Sequence, residues 1–503
     1  MLDAALGPQA LRAATDASGV AVSEGDGALT WAGLDDRVAR LASGLAALGV
    51  KPGERVVWSG PNSTDVVVVI HALRAVGAVA VPMPHRLTAG EARHVLEDSG
   101  AVVAVVDAAC GATVAGLLPS LRRLRHALVF GGTVAGLRSW EEVVALGTPS
   151  GVATPAGAGR TMFYTSGTSG RPKGAVRPRT EPAPRQAMLA ELAFGDDEVH
   201  LVTGPLYHAG PHAFALLAHL TGGRLVVSRA FDPAAWVRLV ARHRVTSAFV
   251  APVHLKRIVA LPDDLLSEAD LSCLRTVIVN AAPVPYSLKE EVVARLGAGF
   301  LYEVYGATEL GIVTVLRPED QLRKPGSCGR PYGGIGIRIV GTDGADVPAG
   351  EVGEVFVRTD QAIDGYHGAV APMAELAGGG GWKSVGDMGR LDAEGYLHIC
   401  DRKTDVVITG GVNVYPAEVE AALHAHPDVA DAAVIGVPDD AWGERVHAVV
   451  TPRPGRVLDP AGLDAFLAPR LAPFKRPRSW EVCAALPRTE SGKLLRRALR
   501  GDR

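Results

Sequence analysis

From Thr30 to Leu48, apolar residues recur at Leu34, Val38, Leu41, Leu45 and Leu48, the spacing that lines one face of a helix. Gly49 closes that helix, as a glycine past a C-terminus does. Lys51-Pro52-Gly53 reads as a turn, and Arg55 to Ser59 as a short buried strand. The run Val66 to Ile70 fits a strand or a buried helix equally, because five consecutive apolar residues carry no period. Gly77 to Pro82 then reads as a strand ending in proline, Glu91 to Leu96 as a helix, and Ala101 to Val106 as a strand. Strands and helices alternating about every 10 to 15 residues predict an α/β fold, with helices packed on the faces of a parallel sheet.

A Gly/Pro/Ala-rich stretch, Gly147 to Gly159, separates this part from the next. A second α/β set follows, with strands expected at Glu198–Thr203, Arg224–Val227, Ser247–Ala251 and Thr276–Val279. Shorter alternating segments, Ile335–Val340 and Val352–Arg358, predict a smaller β-rich unit between Gly333 and Thr359. His424 to Arg503 reads as a compact α+β domain. The expected division is therefore a large N-terminal domain over 1–400 and a small, mobile one over 401–503. No internal repeat is visible.

The 503 residues suffice for several cores, and 48% hydrophobic content places the chain among globular proteins. Fifty-one basic against 54 acidic residues, without a basic block, argue against nucleic acid and for a small-molecule partner. Five scattered cysteines lack Cys-x-x-Cys pairing, so reduced thiols are expected. The N-terminal residues lack the basic start and apolar core of a signal peptide, and no apolar run approaches the ~20 residues of a membrane helix. A soluble, cytoplasmic protein is expected, as a monomer or homodimer.

The chemistry concentrates in short motifs. Tyr164 to Gly174 reads YTSGTSGRPKG. Its glycines let backbone N–H groups approach phosphate oxygens, its hydroxyls add donors, and Lys173 adds charge. The same string also suits a polar surface turn. It is not a Walker A loop, because Pro172-Lys173-Gly174 stands where Gly-Lys-Ser/Thr belongs. Leu206-Tyr207-His208-Ala209-Gly210 places a histidine between an aromatic and a glycine, although an isolated histidine is more often structural. Asn280-Ala281-Ala282-Pro283 ends a strand. In Tyr305-Gly306-Ala307-Thr308-Glu309, Thr308 is a donor and Glu309 a hard oxygen ligand, and the pair equally suits a helix start. Asp387, in Ser384-Val385-Gly386-Asp387, offers a carboxylate able to accept both hydroxyls of a vicinal diol. Asp401-Arg402-Lys403-Thr404-Asp405 precedes Gly410-Gly411, and Pro487 to Lys493 is a turn-rich string that presents a lysine.

In this order these motifs resemble the adenylate-forming superfamily of acyl- and aryl-CoA ligases, luciferases and peptide-synthetase adenylation domains. The resemblance runs from Tyr164 to Lys493 and is nearest to the fatty-acid and aryl-acid CoA ligases. It implies ATP-dependent activation of a carboxylic acid to an acyl-adenylate with release of pyrophosphate, then transfer to coenzyme A, with Mg²⁺ as cofactor. It also implies roles residue by residue. Lys493, His208, Thr308 and Glu309 would be catalytic, with Glu309 holding the metal. Thr165, Ser166, Gly167, Thr168, Ser169, Gly170, Lys173, Asn280, Ala281, Ala282, Pro283, Glu303, Tyr305, Gly306, Asp387 and Arg402 would bind the nucleotide. Gly410 and Gly411 would meet coenzyme A, and Asp401 would be the hinge. Tyr207, Val250, Val253, Val304, Gly311 and Ile312 would wall an apolar pocket suited to an aliphatic or aromatic monocarboxylic acid. The sequence departs from the family pattern at Val385, where a threonine is usual, and at Thr404, where many relatives carry lysine. His208 stands near where amino-acid-activating relatives carry aspartate, which disfavours an α-amino acid. Transfer to a carrier-protein thiol, activation of an oxyanion such as nitrite for an aryl amine, and a non-catalytic nucleotide-binding role remain open.

Overall fold

The computed structural model describes residues 18–148, 159–165, 172–177, 182–195, 197–363, 365–368, 373–376, 378–488 and 494–500. Among them the strands form four sheets. In the first, His126–Phe130, Val103–Asp107, Arg55–Ser59, Val79–Pro82 and Thr161–Thr165 run parallel, and Lys173–Arg177 folds back antiparallel at its edge. The second is built on parallel Val199–Val202, Ser247–Val250, Thr276–Val279 and Leu301–Ala307, with Gly311–Leu316 returning antiparallel. The strand Val20–Glu24 joins this second sheet beside Arg224–Val227, a long-range pairing that local pattern does not encode.

The helix expected after Thr30 spans Trp31–Ala47, and the Thr30 hydroxyl accepts from the Gly33 N–H at 3.1 Å. The ambiguous run Val66–Ile70 is helical, inside Thr64–Ala75 and capped by Ser63. That helix is apolar on nearly every side because it lies in a core joining Val56 and Trp58 of the first sheet to Val202 and Leu225 of the second. A polar thread crosses this core. His71 Nε2 donates to His219 Nδ1 at 2.9 Å, and His219 Nε2 donates to the Ala21 carbonyl at 3.1 Å. A carbonyl only accepts, so it fixes both tautomers.

The third sheet contains Gly336–Val340, Gly353–Arg358, Asp387–Leu391 and Leu397–Arg402. The fourth is organised on the long hairpin Val429–Asp439 and Gly443–Pro452, covered by helix Pro416–His424. The chain leaves the third sheet at Arg402 and enters the fourth at Val407. None of the five cysteines is in a disulfide, and no helix among the described residues is long and apolar enough to cross a membrane.

Helix Tyr286–Leu296 is tied to strand Leu301–Ala307 by an ion pair between Lys289 and Glu303, which are 1% and 9% exposed. Removing one partner of such a pair leaves an uncompensated buried charge, typically costing about 3–5 kcal/mol, whereas apolar replacement of both is often neutral. Lys289→Ala should therefore lose about that much stability in chemical denaturation, and the Lys289→Met/Glu303→Leu double variant should recover most of it.

Candidate active site

A cavity of about 2280 Å³ lies where the sheets meet. Glu309, in the turn between strands Leu301–Ala307 and Gly311–Leu316, stands on its wall and is 9% exposed. Its Oε1 accepts from the Thr165 hydroxyl at 3.0 Å and from the Tyr366 hydroxyl at 3.0 Å. Burial, then Glu309 itself, pushes the Tyr366 phenol above the ordinary tyrosine range, so it remains a protonated donor. Arg177 donates to the Thr308 carbonyl at 2.9 Å and fixes the same turn from the first sheet. Burial pulls its guanidinium down, against the opposing attraction of Glu309. Lys173 Nζ lies 5.4 Å from the centre of the Tyr366 ring.

A second carboxylate stands in the same cavity on the third sheet. Asp387 Oδ2 accepts from the Tyr305 hydroxyl at 2.7 Å, and its Oδ1 is 3.4 Å from Arg402 Nε. In the same lining, Asn280 Nδ2 donates to the Val304 carbonyl at 2.7 Å, and Ala281, Ala282 and Pro283 follow it in the wall. Gly306 is required by its neighbour: a Cβ there would lie 2.2 Å from the Gly311 carbonyl oxygen. Ala281 sits at φ +81°, in the region that favours glycine.

The cavity extends along helix Ala209–Leu220 as an apolar arm. His208 occupies the N-cap position, its ring 4.7 Å from that of Tyr207. Phe214 and Phe249 stack at 5.4 Å, and Phe249 covers Gly210, where a Cβ would meet the ring at 2.4 Å. Tyr207, Val304, Gly311 and Ile312 line the cavity as expected from the sequence. Val250 and Val253 do not. Along strand Ser247–Val250 side chains alternate, so Phe249 faces the cavity while Val250 enters the core with Trp236, Val240 and Ile258. In the helix that follows, Ala251 and His254 reach the lining in place of Val253. Glu303 also borders the cavity, but its carboxylate is ion-paired with Lys289, and burial raises its pKa.

On the last sheet, Gly410 and Gly411 form a hairpin turn outside the cavity lining, with φ +57° and +78°. Gly410 packs on Trp442, an exposed indole that carries the Arg478 guanidinium 3.8 Å above its ring. Asp401 is buried. Its oxygens accept from the backbone N–H of Arg402 at 2.8 Å and of Ala417 at 3.0 Å, and burial raises its pKa. Ser166 to Gly170 and Lys493 lie outside the described residues; Leu494, Leu495 and Arg496 line the cavity. Tyr366, Arg177 and Phe249 belong to the site without any motif that announces them. Their partners are 57, 131 and 39 residues away in sequence.

The model of the AMP-binding enzyme family matches residues 10–367, and that of the AMP-binding enzyme C-terminal domain matches residues 418–493. A feruloyl-CoA synthase from an Amycolatopsis species is 39% identical, over 97% of this chain and 97% of its own. The amide bond synthetase McbA from Marinactinospora thermotolerans superposes with a TM-score of 0.87 at 30% identity, covering 97% of this chain and 98% of that one. The anthranilate CoA ligase AuaEII, solved in complex with anthranoyl-AMP, superposes with a TM-score of 0.88 at 26% identity, covering 99% and 97%.

The left-handed backbone at Ala281 costs a residue with a Cβ roughly 1–2 kcal/mol. Glycine removes that strain but loses about 0.5–1 kcal/mol to its greater freedom when unfolded. Ala281→Gly should therefore gain up to about 1 kcal/mol in denaturant midpoint analysis. A loss would show that contacts of the Ala281 methyl group outweigh the strain.

Proposed function

The chain belongs to the AMP-binding enzyme family, and from that premise we propose that it is an AMP-forming acid–CoA ligase whose acid is aromatic. The observation that carries this reading is the placing of Glu309 and Asp387, each oriented by a phenol, in one cavity that continues as an aromatic-walled arm. A free carboxylate is a poor electrophile because its leaving group would be oxide. In the first step a carboxylate oxygen of the acid attacks the α-phosphorus of ATP, and the bond to pyrophosphate breaks. In the second, the thiolate of coenzyme A attacks the carbonyl carbon and AMP departs.

The residues present fit these substrates. Tyr305 and Arg402 each engage one oxygen of Asp387, and a carboxylate has about four lone-pair sites, so two ribose hydroxyls can still be accepted. Both hydrogen bonds to the Glu309 side chain among the described residues fall on Oε1, and Oε2 suits a hard cation. A Mg²⁺ held by Glu309 would supply positive charge against the phosphates. Lys173, Thr165 and Thr308 position the phosphates, Asn280 to Pro283 flank the adenine, and His208 orients the acid at the mouth of the apolar arm. Lys493 neutralises charge that grows as the carboxylate meets the α-phosphate. Residues 1–400 and 401–503 act as two bodies hinged at Asp401. A swing of the second body would bring Gly410-Gly411 and the Trp442–Arg478 platform to the cavity for the thiol step. The aromatic lining and the feruloyl-CoA synthase relative together support an arylpropenoic acid over an aliphatic one.

With ATP, coenzyme A and a panel of aromatic acids, the products should be AMP, pyrophosphate and a thioester. ADP and phosphate would rule the reading out. Lys493→Ala should slow acyl-AMP formation about 100- to 1000-fold in single-turnover measurements, as loss of a preorganised charge-stabilising donor does. Thioester formation from supplied acyl-AMP should largely survive. An equal fall in both steps would remove Lys493 from its assigned role.

A further inference from the structure

His212 lies one turn beyond His208 on helix Ala209–Leu220 and lines the cavity at 5% exposure. Its ring is held on two sides, stacked on Trp58 at 6.4 Å and edge-on to Phe163 at 5.4 Å. Nδ1 lies 3.3 Å from the Leu206 carbonyl oxygen. A carbonyl only accepts, so Nδ1 carries the proton and Nε2 presents a lone pair. Burial, then the neighbouring Arg74, pulls the ring's pKa down to about 4, so at neutral pH the lone pair stays unprotonated. No hydrogen bond to the described residues falls on Nε2, and the cavity lining includes the apolar Phe163, Leu216 and Leu220 together with the charged Arg74.

Resting on the ligase reading above, we infer that His212 is a specificity-determining residue whose Nε2 accepts a hydrogen bond from a hydroxyl on the aromatic ring of the acid. An acceptor whose orientation and tautomer are fixed by Trp58, Phe163 and the Leu206 carbonyl rewards a donor and penalises its absence, because a bound acid lacking the hydroxyl leaves the lone pair desolvated without a partner. One helical turn separates His212 from His208, about 5.4 Å along the axis, so the hydroxyl is carried about a ring's length from the carboxylate. The substrate class is thereby narrowed to hydroxyaryl acids.

The test measures kcat/KM by pyrophosphate release for three acids on one preparation: a hydroxyaryl propenoic acid, its deoxy analogue, and the analogue with fluorine in place of the hydroxyl. Ratios between acids cancel the fraction of active protein, so a partly folded variant remains informative. The native chain should prefer the hydroxylated acid at least about tenfold over both analogues. His212→Asn, whose amide N–H can still serve the Leu206 carbonyl, should bring that ratio to within about twofold of unity. His212→Gln, which returns an acceptor oxygen near the Nε2 position, should restore part of it. No preference in the native chain, or an unchanged ratio in His212→Asn, overturns the inference while the ligase reading stands. Failure to activate any acid overturns the ligase reading, and the inference with it.

Discussion

The Glu309 carboxylate is the contact on which the site depends, because it joins segments from three parts of the fold. Thr165 reaches it from the first sheet, its own turn belongs to the second, and Tyr366 comes from the connection that follows strand Gly353–Arg358 of the third. Backbone bonds reinforce the junction: Ile363 N–H donates to the Glu309 carbonyl at 2.8 Å, and His367 N–H to the Gly174 carbonyl at 2.7 Å. Burying a carboxylate costs several kcal/mol, and each hydrogen bond to a charged group returns about 1.5–3 kcal/mol. Two hydroxyl donors therefore roughly offset the burial. Glu309 adds little to net stability, yet its position is set before any ligand arrives, which is what electrostatic preorganisation requires.

Asp387 repeats the arrangement from the third sheet. Its partner Tyr305 lies on the second sheet, and burial followed by Asp387 keeps that phenol well above its ordinary range. Each carboxylate is thus aimed by a phenol from another part of the fold that stays protonated. A shift between sheets would misplace both, so packing errors far from the cavity are felt inside it. The apolar arm is built differently. Its shape depends on Phe249 closing over Gly210 and stacking on Phe214, contacts without direction that set width more than orientation.

Which features were legible in the sequence follows from the range of the forces involved. Local signals read well: Thr30 caps its helix, Arg224–Val227 and Thr276–Val279 are strands at their expected limits, and Tyr305 to Glu309 lies in the cavity wall. Val66–Ile70 was illegible because a helix wedged between two sheets has no polar face to reveal its period. Val250 was assigned to the pocket although strand alternation sends it to the opposite face, and Phe249 was passed over for the same reason. Tyr366 and Arg177 left no signal. Their roles arise from pairings across sheets, and nothing in the residues around them distinguishes a site tyrosine or arginine from a surface one.

The ion pairs of the C-terminal part divide unevenly across the boundary proposed at Asp401. Within that part, Arg496 meets Glu420 at 2.8 Å and approaches Asp401 and Asp405, Arg500 meets Asp405 at 3.0 Å, and Arg488 makes a paired contact with Asp431 at 2.7 and 2.8 Å. Several of these groups are largely buried, and networks of shared partners are worth more than isolated pairs. They fasten residues 494–500 to helix Pro416–His424 and to the connection at Asp405, and Arg488 to the strand Val429–Asp439. Contacts that cross to the larger part include Lys256 with the Ala430 carbonyl and the exposed Lys403 with Glu354 at 2.9 Å. An exposed pair of that kind contributes about 0–1 kcal/mol. The C-terminal segment is therefore bound more firmly to the body that carries it than that body is bound by these contacts to the rest. If the body moves, the wall formed by Leu494 to Arg496 moves with it, and one displacement changes both the charge and the access of the cavity.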